Sequence, residues 1–233
     1  MWRRFKPTIR GSALTPGYDP SMNQTLQRVD APPTPLRPRD GADRIPFHPD
    51  GRTRFTREGY LKLVEVGLLE EDAPVELLEG EIVPMSPISP GHSGVLRKLI
   101  HFFTPRVEGR GLCLGGGSIA VEENSMPEPD FMISRFRDDF YVNRLATAED
   151  SLLLVEIAVT SLKQDLGRKA KIYARGGAAE YWVAEPERQT LHVHRRADPA
   201  EGRWAEITRR KPGEKVAALA FPDAELDLGW LFG

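Results

Sequence analysis

Residues 151–159 read SLLLVEIAV, an unbroken apolar run that holds one carboxylate, Glu156. A run that short, without polar alternation, predicts a strand covered on both faces. Such a strand requires a sheet with further layers on either side. A carboxylate inside it loses hydration, so it needs a cationic partner, a metal ion or a proton. Glu156 is therefore where the demands of folding and of function meet.

The flanking segments supply the layers. Thr56 can cap a helix whose stripe is Tyr60, Leu61, Val64 and Leu68. VELLEGEIVPM at 75–85 reads as a hairpin around Glu79-Gly80. In SPGHSGVLRKLIHFFTPRVEG, Val95, Leu96, Leu99, Phe102 and Phe103 recur at helical spacing, with Gly109 and Gly111 ending the helix and Pro105 expected to kink or terminate it early. SIAVE at 118–122 and DFMIS at 130–134 are the next strand candidates, joined by the proline-fixed MPEPD that delivers Asp130 at a strand start. KQDLGRKAKIYARGG is a helix closed by Gly176 and Gly177. EYWVAEP and QTLHVHR form a hairpin around Pro186-Glu187, and one or two short strands and an apolar end, ELDLGWLF, follow. The order implies an α/β (α+β) domain, a central mixed β-sheet flanked by helices.

The first 50 residues contain 9 of the 20 prolines, with few large apolar residues and no period. Such a segment cannot offset its ordering entropy by burial, so 1–50 is expected to be a flexible Pro-rich tail and 51–233 a single domain. The tail carries +3, and the whole chain −2, which gives no reason to expect strong non-specific nucleic-acid binding. A solvated arm is the simpler reading of the tail, a nucleic-acid or partner-binding arm the alternative. The basic N-terminus lacks an apolar core after it, which argues against a secretory signal, and no run approaches the length needed to span a membrane. The lone cysteine, Cys113, excludes an internal disulfide and a cysteine-based zinc site, and reads as a core residue. A cytoplasmic location is the default expectation.

Asp130, Glu156 and Lys169 converge in this order of elements. If the strands bearing Asp130 and Glu156 are neighbours, the two carboxylates meet across the sheet and repel unless a cation lies between them. Mg²⁺ or Mn²⁺, a hard ion with oxygen ligands, would resolve the conflict. On the helix, Leu166, Ala170, Tyr173 and Ala174 form the buried stripe and Lys169 stands at its border, its ammonium turned inward. Arg168, Lys171 and Arg175 lie opposite, as a solvated face or one that contacts phosphate. A buried Arg or Lys answering Glu156 is the structural alternative to a metal.

The blocks RFTREGYL, VELLEGEIVPMSPISPGHS, PEPDFMI, LLLVEIAVTSL and QDLGRKAKIYARGGAAEYWVAEPE, in that order, resemble the Uma-two family of endonuclease domains. The resemblance spans about Arg54 to Glu187. It implies a restriction-endonuclease-like core with an extra N-terminal helix and hairpin. Asp130 and Glu156 would be the two metal-binding carboxylates of a PD-(D/E)xK site, and Lys169 its lysine, moved from the strand to the following helix; Ala158 stands where that lysine usually would. Glu76 matches a third acidic position, with an exposed hairpin carboxylate as the alternative. His92 matches a helix-start histidine, expected to hydrogen-bond at the helix N-terminus, with contact to substrate as the alternative. Ser161, Asp165 and Tyr173 match positions expected to order the loop and pack, and Glu180, Tyr181 and Trp182 would build the closing strand. Val159 and Thr160 depart from the family's polar turn. The implied activity is a Mg²⁺- or Mn²⁺-dependent endonuclease acting on nucleic acid, DNA foremost, without a membrane partner and with a homodimer as the assembly. The alternative is a non-catalytic nuclease-fold module that binds nucleic acid or a protein. Nothing resembles a serine-hydrolase elbow, a P-loop or a zinc-protease helix.

Overall fold

The apolar run around Glu156 forms β5 (Ser151–Ile157), third of six strands in a computed structural model that describes residues 54–233. The proline-rich tail expected over 1–50 lies outside the described residues. The sheet is built from β3 (Gly111–Gly115), β4 (Phe131–Arg135), β5, β6 (Glu180–Glu185), β7 (Thr190–Asp198) and β8 (Arg203–Arg210), side by side in that order. Every neighbouring pair is antiparallel except β5 and β6, which run parallel. A parallel pair needs a crossover, and the chain supplies it as α3 (Leu162–Gln164), a π-helical turn (Asp165–Lys169) and α4 (Ala170–Arg175).

Side chains alternate across the sheet as the pleat requires. Leu153, Val155 and Ile157 of β5, with Phe131, Ile133 and Trp182, pack against α2 (Pro90–Val107) through Val95, Leu99, Phe103 and Val107. The C-terminal helix α5 (Leu228–Phe232) joins this layer through Leu228 and Leu231. On the other face, Leu154, Met132, Tyr181 and Val183 meet Ile172, Tyr173 and Ala174 of α4. Leu152 breaks the alternation and packs toward the α2 side, because β4 and β5 slip register at Ile133/Ser134. Outside the sheet, α1 (Arg57–Glu65) starts at Thr56, whose hydroxyl accepts from the Gly59 amide. The hairpin pairs β1 (Val75–Leu78) with β2 (Glu81–Pro84). Its turn residues Glu79 and Gly80 have φ of 49° and 81°, the left-handed pair that a two-residue hairpin needs. A further small pair, β9 (Lys215–Val216) with β10 (Leu226–Asp227), precedes α5.

Several expectations need correction. Only Tyr60 of the expected α1 stripe is buried; Leu61 and Leu68 are exposed, and Leu68 lies beyond the helix end. Pro105 does not end α2, which runs on to Val107; two residues from the end, the proline costs little helix. Residues 118–122 make isolated bridges from Ala120 and Val121, and the edge strand next to β4 is β3, which carries Cys113. β6 is interior, because β7 and the eight-residue β8 extend the sheet beyond it.

His194 on β7 is buried between Tyr181 and Trp204. Burial lowers its pKa from 6.5 to about 4. The unfolded chain then binds the proton first, so stability is full above pH 6.5 and is lost as pH falls toward 4, by up to about 3 kcal/mol. Urea titrations of the wild type and His194→Phe across that range should diverge by this amount, with the variant losing less on acidification.

Candidate active site

β4 and β5 pair Phe131 with Val155. One step further along that antiparallel register, Asp130 faces Glu156 at the end of the sheet where the chain enters the crossover. Asp130 is held from both sides: its Oδ2 accepts the Ile157 amide at 2.6 Å, and its Oδ1 lies 2.9 Å from His92 Nε2. His92 reaches it from the first turn of α2, where Ser89 caps the helix by accepting the His92 amide. The hydrogen bond to Asp130 raises the His92 pKa above its ordinary value, against the effect of burial. The imidazole thus performs more than a helix-terminal role: it orients one of the two carboxylates.

Glu156 is 3 % exposed, so the charge in the strand is fully desolvated. Its Oε1 accepts from Lys169 Nζ at 3.0 Å and from the Tyr173 hydroxyl at 2.7 Å. Lys169 Nζ also lies 2.9 Å from Glu76 Oε2. Glu76 projects from β1 on the same face as buried Leu78, and it accepts from Gln164 Nε2 and the Glu128 amide. The exposed-hairpin alternative for Glu76 is therefore overturned, since it is 2 % exposed. Burial raises the Glu156 carboxyl well above the usual range, with Lys169 opposing and Asp130, Asp165 and Glu76 adding to the rise. Burial works against a charged Lys169, but Glu156, Glu76 and Asp165 outweigh it and hold the ammonium above the ordinary lysine value. The site is one buried cation among several acids.

The π turn decides how Lys169 arrives there. An α-helical phase from Leu166 leaves Lys169 at the border of the buried stripe, whereas the wider turn over Asp165–Lys169 shifts the phase and brings both of these side chains inside. The same shift buries Ile172. Asp165, expected only to order a loop, accepts from the Ser161 hydroxyl and is pushed by burial to a pKa of about 6. Its position four residues before Lys169 is the signal that could have placed it in the site. Tyr173 does more than pack. Removing its hydroxyl leaves Glu156 short of a donor in a dry site, so Tyr173→Phe should cost about 1–2 kcal/mol in urea denaturation.

The outer cations are not a solvated helix face. Arg168 pairs with Glu79 and Glu81, and Arg175 with Glu79 and Glu122, fastening the hairpin over the crossover. Lys171 alone of the three is exposed. Glu180, Tyr181 and Trp182 stay structural: Glu180 accepts from Arg195, Trp182 and the Leu219 amide. The acidic group opens onto a cleft of about 1210 Å³, bordered by the hairpin, the Ser86–Ile88 segment, the start of α2 and the crossover.

Residues 57–229 match the Uma2 family, described as "Putative restriction endonuclease". The chain belongs to the Uma2 family. Among solved structures it is similar to one described as a putative nuclease belonging to DUF820 from Anabaena variabilis ATCC 29413, with 17 % identity, 76 % of this chain and 97 % of that chain covered, and a TM-score of 0.61. That likeness gives the Uma2 chain the fold of its neighbour, a central mixed sheet flanked by helices. No curated protein matches. No helix among the described residues is long and apolar enough to cross a membrane.

The donor chemistry of this Uma2 cleft can be set against a divalent ion. Six carboxyl groups and four Lys or Arg side chains border it, so acidic side chains outnumber basic ones. Asp130 and Glu156 offer hard oxygen atoms from adjacent strands, and Mg²⁺ is commonly held by one or two carboxylates with water and substrate phosphate completing the shell. Among the described residues, no group of three or more His, Cys, Asp or Glu side chains is arranged to hold a metal ion. An ion held by Asp130 and Glu156 would take its remaining ligands from water or phosphate.

Proposed function

We propose that this Uma2 protein is a metal-dependent endonuclease that hydrolyses phosphodiester bonds of nucleic acid, DNA foremost, with Asp130 and Glu156 as the ligands of Mg²⁺ or Mn²⁺. The observation that carries the reading is the meeting of Asp130 and Glu156 on adjacent strands, at a cleft, with Lys169 Nζ 3.0 Å from Glu156. When bound, the ion supplies Lewis-acid stabilisation of charge at the phosphate. The chain's own residues do the rest. His92 and the Ile157 amide fix Asp130, and Tyr173 fixes Glu156. Lys169, held protonated, cannot act as a base near neutral pH; it donates hydrogen bonds that orient water for in-line attack and offset charge as it develops. Glu76 holds Lys169 in that position.

The test is cleavage of supercoiled and linear DNA, and of RNA, by the purified full chain with Mg²⁺, Mn²⁺ or EDTA, beside Asp130→Asn. Cleavage that needs the metal and the Asp130 carboxylate supports the reading. Absence of cleavage on every substrate with both metals sinks it. A homodimer belongs to the same proposal, and light scattering of the purified chain checks it.

The second reading, a nuclease-fold module that binds without cutting, is favoured by one observation. Lys169 and Tyr173 already satisfy Glu156, and His92 and Ile157 already satisfy Asp130. In that case Mn²⁺ titration gives no heat and no shift in Tm, while nucleic acid or a protein partner still binds.

A further inference from the structure

The crossover that carries Lys169 uses its cations in three ways. Lys169 is buried among the acids, and Arg168 and Arg175 are bound to the hairpin carboxylates. Lys163 and Lys171 are exposed, border the cleft, and have no ion-pair partner among the described residues. Gly167 lies midway between them and borders the same cleft. All three border the cleft, spaced evenly along the crossover, so they form a strip along its wall.

Gly167 is the informative member. It sits within the π turn, where glycine is among the least favourable helix residues. It does not have a positive φ, and a Cβ built on it meets nothing within 4 Å. Neither backbone geometry nor packing inside the chain therefore requires a glycine at this position. The open space above it faces the cleft. A missing side chain flanked by two uncommitted ammonium groups suits a ligand that lays a polyanionic backbone close against the helix. Lys163 and Lys171 are on the order of 10 Å apart along the axis, a span that covers about three phosphates of one strand.

We infer that Lys163, Gly167 and Lys171 form a track that holds the sugar-phosphate backbone of a nucleic-acid strand beside the acidic site, Gly167 allowing close approach and the lysines neutralising phosphates. This rests on the nucleic-acid reading above, and it adds residues that bind without touching the reacting atoms. The track also accounts for how a cleft with surplus carboxylates accepts a polyanion: the positive charge lies along the wall, away from Asp130 and Glu156.

The test is binding of labelled duplex and single-stranded DNA by the full chain in EDTA, read by fluorescence anisotropy between about 50 and 200 mM salt. Lys163→Gln/Lys171→Gln should weaken binding at least about tenfold at the lower salt and reduce the salt slope by about two. Gly167→Ala should raise Tm by about 2–4 °C. Gly167→Leu should hold Tm at or above the wild-type value while weakening binding at least about tenfold. Wild-type binding that the double variant and Gly167→Leu both leave within about twofold overturns the track. A wild type that binds no DNA overturns it too. Because binding is read without metal, a protein that binds through the track yet never cleaves defeats the hydrolase reading and leaves this inference standing.

Discussion

Lys169→Met is expected to lower stability by about 3–5 kcal/mol near pH 8. The methionine fills most of the volume but leaves Glu156 and Glu76 as buried carboxylates without the cation that lies 3.0 and 2.9 Å from them. Tyr173 and Gln164 still donate to them, yet neutral donors do not offset charge in a dry site. The loss should shrink as pH falls, because Glu156, already pushed upward by burial, takes up a proton once Lys169 is gone. Urea titrations from pH 5 to 8 check both the size and the sign; a penalty that grows toward acid would contradict this account. Cleavage, if the wild type shows it, should disappear in the same variant.

Glu156→Gln separates function from folding. The glutamine oxygen can still accept from Tyr173 and Lys169, and Lys169 keeps Glu76 as its counter-ion. A desolvated carboxylate is removed, so stability should change by less than about 1 kcal/mol or rise. A ligand carboxylate is removed as well, so metal-dependent cleavage should fall by at least about a thousandfold, equivalent to about 4 kcal/mol of barrier. Mn²⁺ titration by calorimetry gives a readout independent of turnover: the wild type should bind and the variant should not. Equal cleavage in the two proteins would remove Glu156 from the chemistry and leave it a purely structural partner of Lys169.

The site was legible where one residue's chemistry conflicts with its local setting. Glu156 in an apolar run, Asp130 after Pro129 at a strand start, and a lysine near an apolar helical stripe are each local facts, and strand pairing is the only addition needed to bring the first two together. Glu76 and His92 were placed by resemblance, but their partners were not, since 52 residues separate Glu76 from the Glu128 amide and 38 separate His92 from Asp130. How completely Glu156 is enclosed is illegible for a related reason. Nothing in the strand announces that the hairpin is fastened over this end of the sheet by Arg168 and Arg175.

What the sequence by itself determined is the set of elements and the conflict inside one of them. Local apolar runs, two turn-forming hairpin pairs and capped helices follow from side-chain pattern and backbone sterics within a few residues. What only the tertiary structure decided is phase and partnership. The π turn over Asp165–Lys169 rotates Lys169 from the edge of the helix into its buried face, and no 3.6-residue period can register that. The division of the crossover's cations into buried, hairpin-bound and free is likewise a matter of which carboxylates come within about 3 Å, a contact that depends on the packed fold and not on neighbours in the chain.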